Sequence, residues 1–197
     1  DRLEKAEDFE TALHEMIRKT IKDHKRIIFN GNGYDDAWIK EATEKRGLLN
    51  YRTTADCVPH ILDQKNVDML TAHKVFSEAE LKSRCEITLD NYCKTILIEA
   101  NTMVEMARCE IAPAVEAYIK ELAKTAALKK SVSDEVSVVY ENTLIKKLSV
   151  LTERIFLAAS DLENALLTVD QHDNVIDESA DIRDTLLVKM NELRVPC

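Results

Sequence analysis

The stretch from Ser77 to Lys130 contains no glycine and repeats a hydrophobic side chain every three or four positions. That spacing puts the hydrophobic side chains on one stripe of an α-helix. Over roughly 50 residues, a helix rising 1.5 Å per residue is about 75 Å long, so it needs other helices to pack along it. The stripe consists of Leu81, Cys85, Leu89, Tyr92, Ile96, Ala100, Met103, Ala107, Ile111, Ala114, Tyr118 and Leu122.

The sequence also predicts how this helix begins and where it bends. Ser77 followed by Glu80 matches a capping box, in which the two side chains bond the unpaired backbone amides of the first turn. Pro113 removes one backbone donor and crowds the preceding turn. We therefore expect a bend between Cys109 and Pro113, with the helix continuing beyond it.

A second hydrophobic stripe follows the short polar segment 129–134. It consists of Val136, Tyr140, Leu144, Leu148, Leu151, Ile155, Ala159, Leu162, Leu166 and Val169. Two long helices joined by a short turn form an antiparallel hairpin, here predicted over about 77–130 and 134–169. Residues 170–179 are polar and predict a turn. A C-terminal helix is expected over 179–193, with its hydrophobic face formed by Ile182, Leu186, Met190 and Leu193. These patterns predict an all-α fold, a helical bundle built on a long antiparallel hairpin.

The N-terminal region, residues 1–76, predicts several short helices instead. The first spans Leu3–His24 and ends in a basic cluster that we interpret as a solvated helix end. A glycine-containing turn at Asn30–Gly33 precedes a short helix that carries Trp38 and ends at Gly47. Two more short helices are expected over Thr53–Asp63 and Lys65–Val75.

Charge and composition exclude several classes of partner. The net charge of −9 argues against a nucleic-acid surface, so we expect no nucleic acid partner. No hydrophobic run reaches the ~18 residues that span a bilayer, so we expect no membrane partner and a cytoplasmic location. The spacing of the five cysteines suits neither a disulfide within a helix nor a thiolate metal site, and predicts reduced, mostly buried thiols.

Catalytic motifs are absent from the sequence. A carboxylate-bridged metal pair requires inward-facing Glu-x-x-His, which does not occur, and the three isolated histidines His14, His60 and His73 lack a second ligand at a suitable spacing. No nucleophile elbow or phosphate-binding loop is present. We therefore predict no catalytic, cofactor-binding or metal-binding residue in this chain, and an interaction module rather than an enzyme.

Four segments together resemble the C-terminal region of type III glutamine synthetases. They are KRIIFNGNGYDDAW (25–38), Thr53–Asp56, VFSEAELKSRCEI (75–87) and LDNYCKTILIEANTMVEMARCEIAPAV (89–115). The resemblance implies a catalytic domain upstream, which condenses glutamate with ammonia at the expense of ATP and requires divalent Mg or Mn. It also implies a homo-oligomeric ring assembly. The catalytic motifs of the family precede this chain, so the chain alone is expected to be inactive.

The resemblance suggests separate roles for residues 1–76 and residues 77–197. Region 1–76 is expected to dock on the upstream catalytic domain, through Asn30, Gly31, Asn32, Gly33, Tyr34 and Trp38; the alternative is an ordinary loop with Trp38 in a local core. Region 77–197, the long-helix bundle, is expected to contribute to packing between subunits. The alternative to both of these roles is that the chain is a free-standing helical scaffold or protein-interaction module with no enzymatic role.

Overall fold

The structure is a computed structural model that describes Leu3, residues 8–169 and residues 174–197. Every regular element within these residues is helical, which confirms the all-α prediction. The chain forms two compact units, Asp1–Asn50 and Tyr51–Cys197, called here the N-terminal unit and the C-terminal unit. No helix among the described residues is both long and hydrophobic enough to cross a membrane.

The described residues of the N-terminal unit form two α-helices. Helix α1 is Phe9–His24, with the Asp8 side chain accepting a hydrogen bond from the Glu10 amide at its start, and a 3₁₀ turn, Lys25–Ile27, follows it. The described helix thus begins later than Leu3, and residues 4–7 of the predicted helix lie outside the described residues. Helix α2 is Asp36–Lys40 and continues as a π-helical turn, Glu41–Lys45.

The C-terminal unit contains the long helices. Its first part has two short α-helices separated by the 3₁₀ segment Val58–Leu62, close to the two predicted short helices. Two π-helical turns, Ala107–Ile111 and Ile182–Leu186, interrupt the longer helices. The α-helices are α3 Thr54–Cys57, α4 Gln64–Ala72, α5 Glu78–Met106, α6 Ala112–Val132, α7 Val139–Leu166, α8 Val175–Asp181 and α9 Leu187–Arg194.

Helices α5 and α6 form one continuous helix of 55 residues, from Glu78 to Val132. The predicted capping box is confirmed: the Ser77 hydroxyl accepts from the Glu80 amide, and the Glu80 carboxylate accepts from the Ser77 amide. The helix passes Pro113 through the π-helical turn just before it. A wider turn accommodates the missing donor of the proline without ending the helix.

The π-helical turn corrects the predicted stripe at Ala114 and Tyr118, whereas Leu122, its last member, is buried as predicted. The turn inserts one extra residue, which rotates the following side chains by about 100° around the helix axis. Ala114 and Tyr118 were expected inside but are exposed, while Val115 and Ile119 take the partly buried positions. The stripe up to Ala107 faces inward as predicted.

Helices α6 and α7 form the predicted antiparallel hairpin. Arg108 bonds Glu163 near one end of the pair, and Lys129 bonds Glu141 near the other. From the first pair to the second, the residue number increases on one helix and decreases on the other. The two helices are therefore antiparallel. One detail of the prediction is wrong: Tyr140, placed on the inner stripe, is 65% exposed, and its neighbour Glu141 is buried instead.

The hydrophobic core lies where α5 and α7 meet the C-terminal helices. The predicted inward face of the C-terminal helix is confirmed, since its four hydrophobic residues are all buried. That helical segment starts at Val175, before the predicted residue 179, because the Asn174 side chain caps it by accepting from the Ile176 amide. Residues 170–173 of the predicted polar turn lie outside the described residues. The core contains Cys93, Ala100, Val104, Ala107, Ile155, Ala159, Leu162, Ala165, Val169, Ile182, Leu186, Met190 and Leu193.

The five cysteines are free, but the prediction that most are buried is wrong. Cys85 and Cys93 are buried on the inward face of α5, and Cys57, Cys109 and Cys197 are exposed. Cys109 is exposed because it follows Ala107, the inward residue of the π-helical turn, by two positions.

Candidate functional site

The predicted turn before Trp38 is present and is built on Asn32. Its side-chain oxygen accepts a hydrogen bond from the Tyr34 amide at 3.0 Å, and its carbonyl accepts from the Asp35 amide at 3.3 Å. Asp35 then caps α2 by accepting from the Ala37 amide. This asparagine-based turn does not require the left-handed conformation at Gly31 or Gly33, since the only glycine with positive φ among the described residues is Gly47.

Trp38 contacts an aromatic ring and a guanidinium group. The Phe29 ring stacks on it with a centroid distance of 3.9 Å and an interplanar angle of 20°. The guanidinium carbon of Arg46 lies 4.9 Å from the indole centroid, which is within cation–π distance. Glu41 holds Arg46 in place by accepting from its Nη2 at 2.6 Å and its Nε at 3.0 Å. The hydrogen bond from Arg46 lowers the pKa of Glu41.

Gly31 is the glycine on which this arrangement depends. A Cβ atom added there would lie 2.6 Å from Cζ of the Phe29 ring, whereas a Cβ at Gly33 would meet nothing within 4 Å. The missing side chain of Gly31 therefore leaves room for the ring that covers Trp38. Gly47, with φ of 65°, ends the helical segment in the left-handed conformation that glycine adopts without strain.

A cavity of about 590 Å³ opens beside the stacked rings. Of the predicted docking residues, only Trp38 lines it, while Tyr34 is 96% exposed and points away from packed structure. The sequence analysis did not identify the other lining residues. Two positions could have pointed to them: Phe29 directly precedes the turn, and Arg46 directly precedes Gly47. We call this set the aromatic cluster: Ile27, Phe29, Trp38, Arg46 and Leu48.

The aromatic cluster is suited to binding an apolar side chain, because four of its five residues are hydrophobic and the guanidinium of Arg46 is already paired with Glu41. A site for metal or phosphate chemistry needs converging charged or polar ligands. No group of three His, Cys, Asp or Glu side chains converges to hold a metal ion in the described part of the chain.

The distal half of the hairpin is a second candidate surface. Over residues 112–151, which we call the arm, only Leu122 and Glu141 are buried. Around its tip, hydrophobic side chains face solvent: Leu128 is 69% exposed, Val132 81%, Val139 71% and Tyr140 65%. Two helices alone cannot enclose such side chains, so the arm leaves an apolar surface uncovered within this chain.

A charged cluster ties the start of the C-terminal unit to its last helices. Arg183, in the second π-helical turn, donates to the carboxylate of Asp56 and bonds Asp184 at 2.6 Å. The Thr53 hydroxyl also donates to Asp56, at 2.7 Å, and this bond and the Arg183 charge lower the pKa of Asp56. The cluster joins α3 to the segment between α8 and α9, which makes it structural.

Comparison with known proteins identifies a family and several relatives that this chain resembles. Residues 12–130 match the family described as the glutamine synthetase C-terminal domain. A glutamine synthetase of Butyrivibrio fibrisolvens is 35% identical over 188 residues, which are 95% of this chain and 27% of the relative. A type-3 glutamine synthetase of Dictyostelium discoideum is 29% identical over 94% of this chain and 26% of its own length.

A third relative, a glutamine synthetase of Bacteroides fragilis (strain YCH46), is 24% identical over 93% of this chain and 26% of its own length. The chain thus spans about a quarter of the length of these relatives. The family match covers more than half of the chain and includes α1 from residue 12, the aromatic cluster and the long helix as far as Lys130. The chain belongs to the glutamine synthetase C-terminal domain family.

Proposed function

We propose that this chain is the non-catalytic C-terminal domain of a type III glutamine synthetase that makes glutamine from glutamate, ammonia and ATP in the cytoplasm. Membership of the family and the limited share of each relative that the chain matches support this proposal. Catalysis, ATP binding and divalent metal binding then belong to the remainder of the parent polypeptide.

The inactivity of the chain is tested by direct comparison with its parent. Purified chain and full-length parent are each supplied with glutamate, ammonia, ATP and Mg²⁺, and glutamine and ADP are measured. Only the full-length parent is expected to form glutamine. Turnover by the isolated chain would contradict the proposal, and an inactive parent would favour the alternative of a scaffold with no enzymatic role.

The arm is proposed to contribute to packing between subunits of an oligomeric ring. The observation that carries this role is the uncovered hydrophobic surface at the tip, formed by Leu128, Val132, Val139 and Tyr140. Exposed apolar side chains clustered in one place commonly mark a contact surface between proteins. The continuous helix from Glu78 to Val132 is about 80 Å long, which suits a contact at a distance from the hydrophobic core.

The arm is tested with matched charge substitutions in the full-length parent. Val132→Asp with Val139→Asp places two carboxylates in the apolar surface, and Ser131→Asp with Asn142→Asp places two at exposed neighbouring positions. Sedimentation velocity measures the assembly. The valine pair is expected to lower the assembly mass and the serine–asparagine pair to leave it unchanged; equal masses for the parent and both variants would contradict a packing role.

The segment Asn30–Trp38 is proposed to dock on the upstream catalytic domain, with the aromatic cluster receiving an apolar side chain from it. The cavity beside Trp38 and the exposed residues around it support this proposal. Leu48→Gln in the full-length parent alters the cavity wall without touching the stack of Phe29 on Trp38. Reduced resistance of residues 25–50 to proteolysis is the expected result, and unchanged resistance would contradict docking at this cavity.

A further inference from the structure

The N-terminal unit has almost no hydrophobic core. Among its described side chains, only that of Ala42 is buried. Its large hydrophobic side chains are exposed instead: Phe9, Met16, Ile17, Ile21, Ile27, Ile28, Phe29, Tyr34, Leu48 and Leu49. Burial of apolar surface is the dominant favourable term in folding, so a unit that buries so little gains little stability from its own contacts.

Helix α1 concentrates this exposed surface on one face. At 100° per residue, Phe9, Leu13, Met16, Ile17 and Ile21 lie within one half of the helix circumference. Phe9 is 57% exposed, Ile17 44% and Ile21 52%. The opposite half carries Arg18 and Lys22, so α1 is amphipathic, although its apolar side is left largely uncovered.

A helix of this kind does not hold its structure alone in water. Isolated helices of about 15 residues are marginal, because nucleation is costly and most helical stability in proteins comes from packing an apolar face. Helix α1 has 16 residues. A stable α1 therefore requires a surface that covers its apolar face.

We infer that the apolar face of α1 docks on the upstream catalytic domain of the same polypeptide, and that the N-terminal unit is stably folded only there. This inference rests on the proposed function. The matched segment is 27% of the Butyrivibrio relative, so most of that relative lies outside it, and the proposed function places the corresponding polypeptide of the parent before α1. A covalent connection gives the partner a high effective concentration, so the face of one helix is a sufficient contact.

The charges of α1 favour a protein surface over a lipid surface. Helices that lie on membranes combine an apolar face with an excess of lysine and arginine, which anionic headgroups attract. Residues 9–24 balance three basic side chains, Arg18, Lys19 and Lys22, against the acidic Glu10, Glu15 and Asp23. The helix therefore lacks the net positive charge that membrane binding uses.

Hydrogen exchange followed by mass spectrometry tests the inference, with the full-length parent and the isolated chain compared under identical conditions. The amides of residues 9–24 are expected to exchange about 100-fold or more slowly in the parent than in the isolated chain, since burial of two or more hydrophobic side chains supports such a difference. Residues 89–104 of α5 serve as an internal reference and are expected to be protected in both.

Two matched pairs of glutamine substitutions identify which face of α1 contacts the catalytic domain. Ile17→Gln with Ile21→Gln alters the apolar face, and Arg18→Gln with Lys22→Gln alters the opposite face at the same i, i+4 spacing. In the full-length parent, the isoleucine pair is expected to abolish most protection of residues 9–24, and the arginine–lysine pair to preserve it. Equal protection in the two variants would overturn the inference.

Other occupants of the face give different results, each of which overturns the inference. Protection that is already complete in dilute isolated chain shows that the chain covers its own helix. Protection that rises with the concentration of the isolated chain indicates a second copy. Protection that requires vesicles of phosphatidylserine and phosphatidylcholine indicates a membrane. Glutamine formation by the same parent sample is scored separately, so failure of the proposed function is distinguishable from failure of this inference.

Discussion

The ammonium group of Lys129 donates a hydrogen bond to Oε1 of Glu141 at 2.5 Å, across the tip of the arm. The Glu141 side chain is 4% exposed and that of Lys129 is 40% exposed, so the pair closes the tip with its carboxylate removed from solvent. The hydrogen bond from Lys129 lowers the pKa of Glu141, and the first helical turn of α7, where backbone amides are unpaired, also suits a negative charge.

Removing the ammonium group should destabilise the arm. Lys129→Met leaves the buried carboxylate without its charged partner, and we expect the Tm of the chain to fall by about 5 °C, measured by circular dichroism at 222 nm. Lys130→Met is the matched control, because Lys130 bonds only the Asp134 carbonyl at the exposed surface in the described contacts. The double variant Lys129→Met, Glu141→Met should recover much of the loss, and a double variant less stable than Lys129→Met would contradict the pairing.

The same pair predicts a dependence of stability on pH. The folded-state pKa of Glu141 is lowered, so its contribution is fully present above the unfolded-state pKa, about 4.3, and is lost as pH falls through the folded-state value. Denaturant unfolding between pH 7 and pH 3 should therefore show a steeper acid loss for the wild type than for Glu141→Gln. If the free energy of unfolding fell equally with pH in the two proteins, carboxylates other than Glu141 would be responsible for the loss of stability in acid.

The sequence predicted the helical path of this chain well because its hydrophobic period is long and uninterrupted. Prediction failed where the period changed. Pro113 predicts a bend followed by continuation of the helix, and the helix does continue beyond it; the spacing does not reveal the extra residue before Pro113, which turns Val115 and Ile119 inward in place of Ala114 and Tyr118. Spacing alone does not reveal a π-helical turn, because the inserted residue shifts the hydrophobic period only in the residues that follow it.

Buried Glu141 and the aromatic cluster were missed for a related reason. From sequence alone, a glutamate is predicted to face solvent unless a basic partner for it can be identified. The partner of Glu141 is Lys129, which lies on another helix, so the sequence pattern does not reveal the pair. The turn at Asn32 was predictable from local residue types. The contacts of Trp38 with Phe29 and Arg46 were not, because they depend on residues brought together across the turn and the π-helical segment.

Burial should divide the cysteines into two reactivity classes. Burial raises the pKa of the Cys85 thiol and raises that of Cys93 to about 11, so both remain protonated as well as inaccessible. At pH 8, three thiols should react with Ellman's reagent in the folded chain, those of Cys57, Cys109 and Cys197, and Cys197 should be the slowest of the three because partial burial raises the pKa of its thiol. The remaining two should react about 100-fold or more slowly until the chain is unfolded in guanidinium chloride. Five equally fast thiols would contradict the inward orientation of α5.

The two glycines of the turn before Trp38 should differ in effect, although sequence treats them alike. In Gly31→Ala, the new Cβ would lie 2.6 Å from the Phe29 ring, so the ring must move off the indole. Loss of the stack costs about 1 kcal/mol. Trp38 is the only tryptophan of the chain, so its fluorescence reports this movement directly. We expect a red shift and easier quenching by acrylamide, as in Phe29→Ala.

Gly33→Ala is the matched control, since a Cβ at that position meets nothing within 4 Å and the residue does not have positive φ. Its emission spectrum and quenching should equal those of the wild type. In the full-length parent, the same comparison connects the stack to docking: Gly31→Ala should increase proteolysis within residues 25–50 and Gly33→Ala should not. Identical spectra for Gly31→Ala and the wild type would show that the Phe29 ring does not depend on the space beside Gly31.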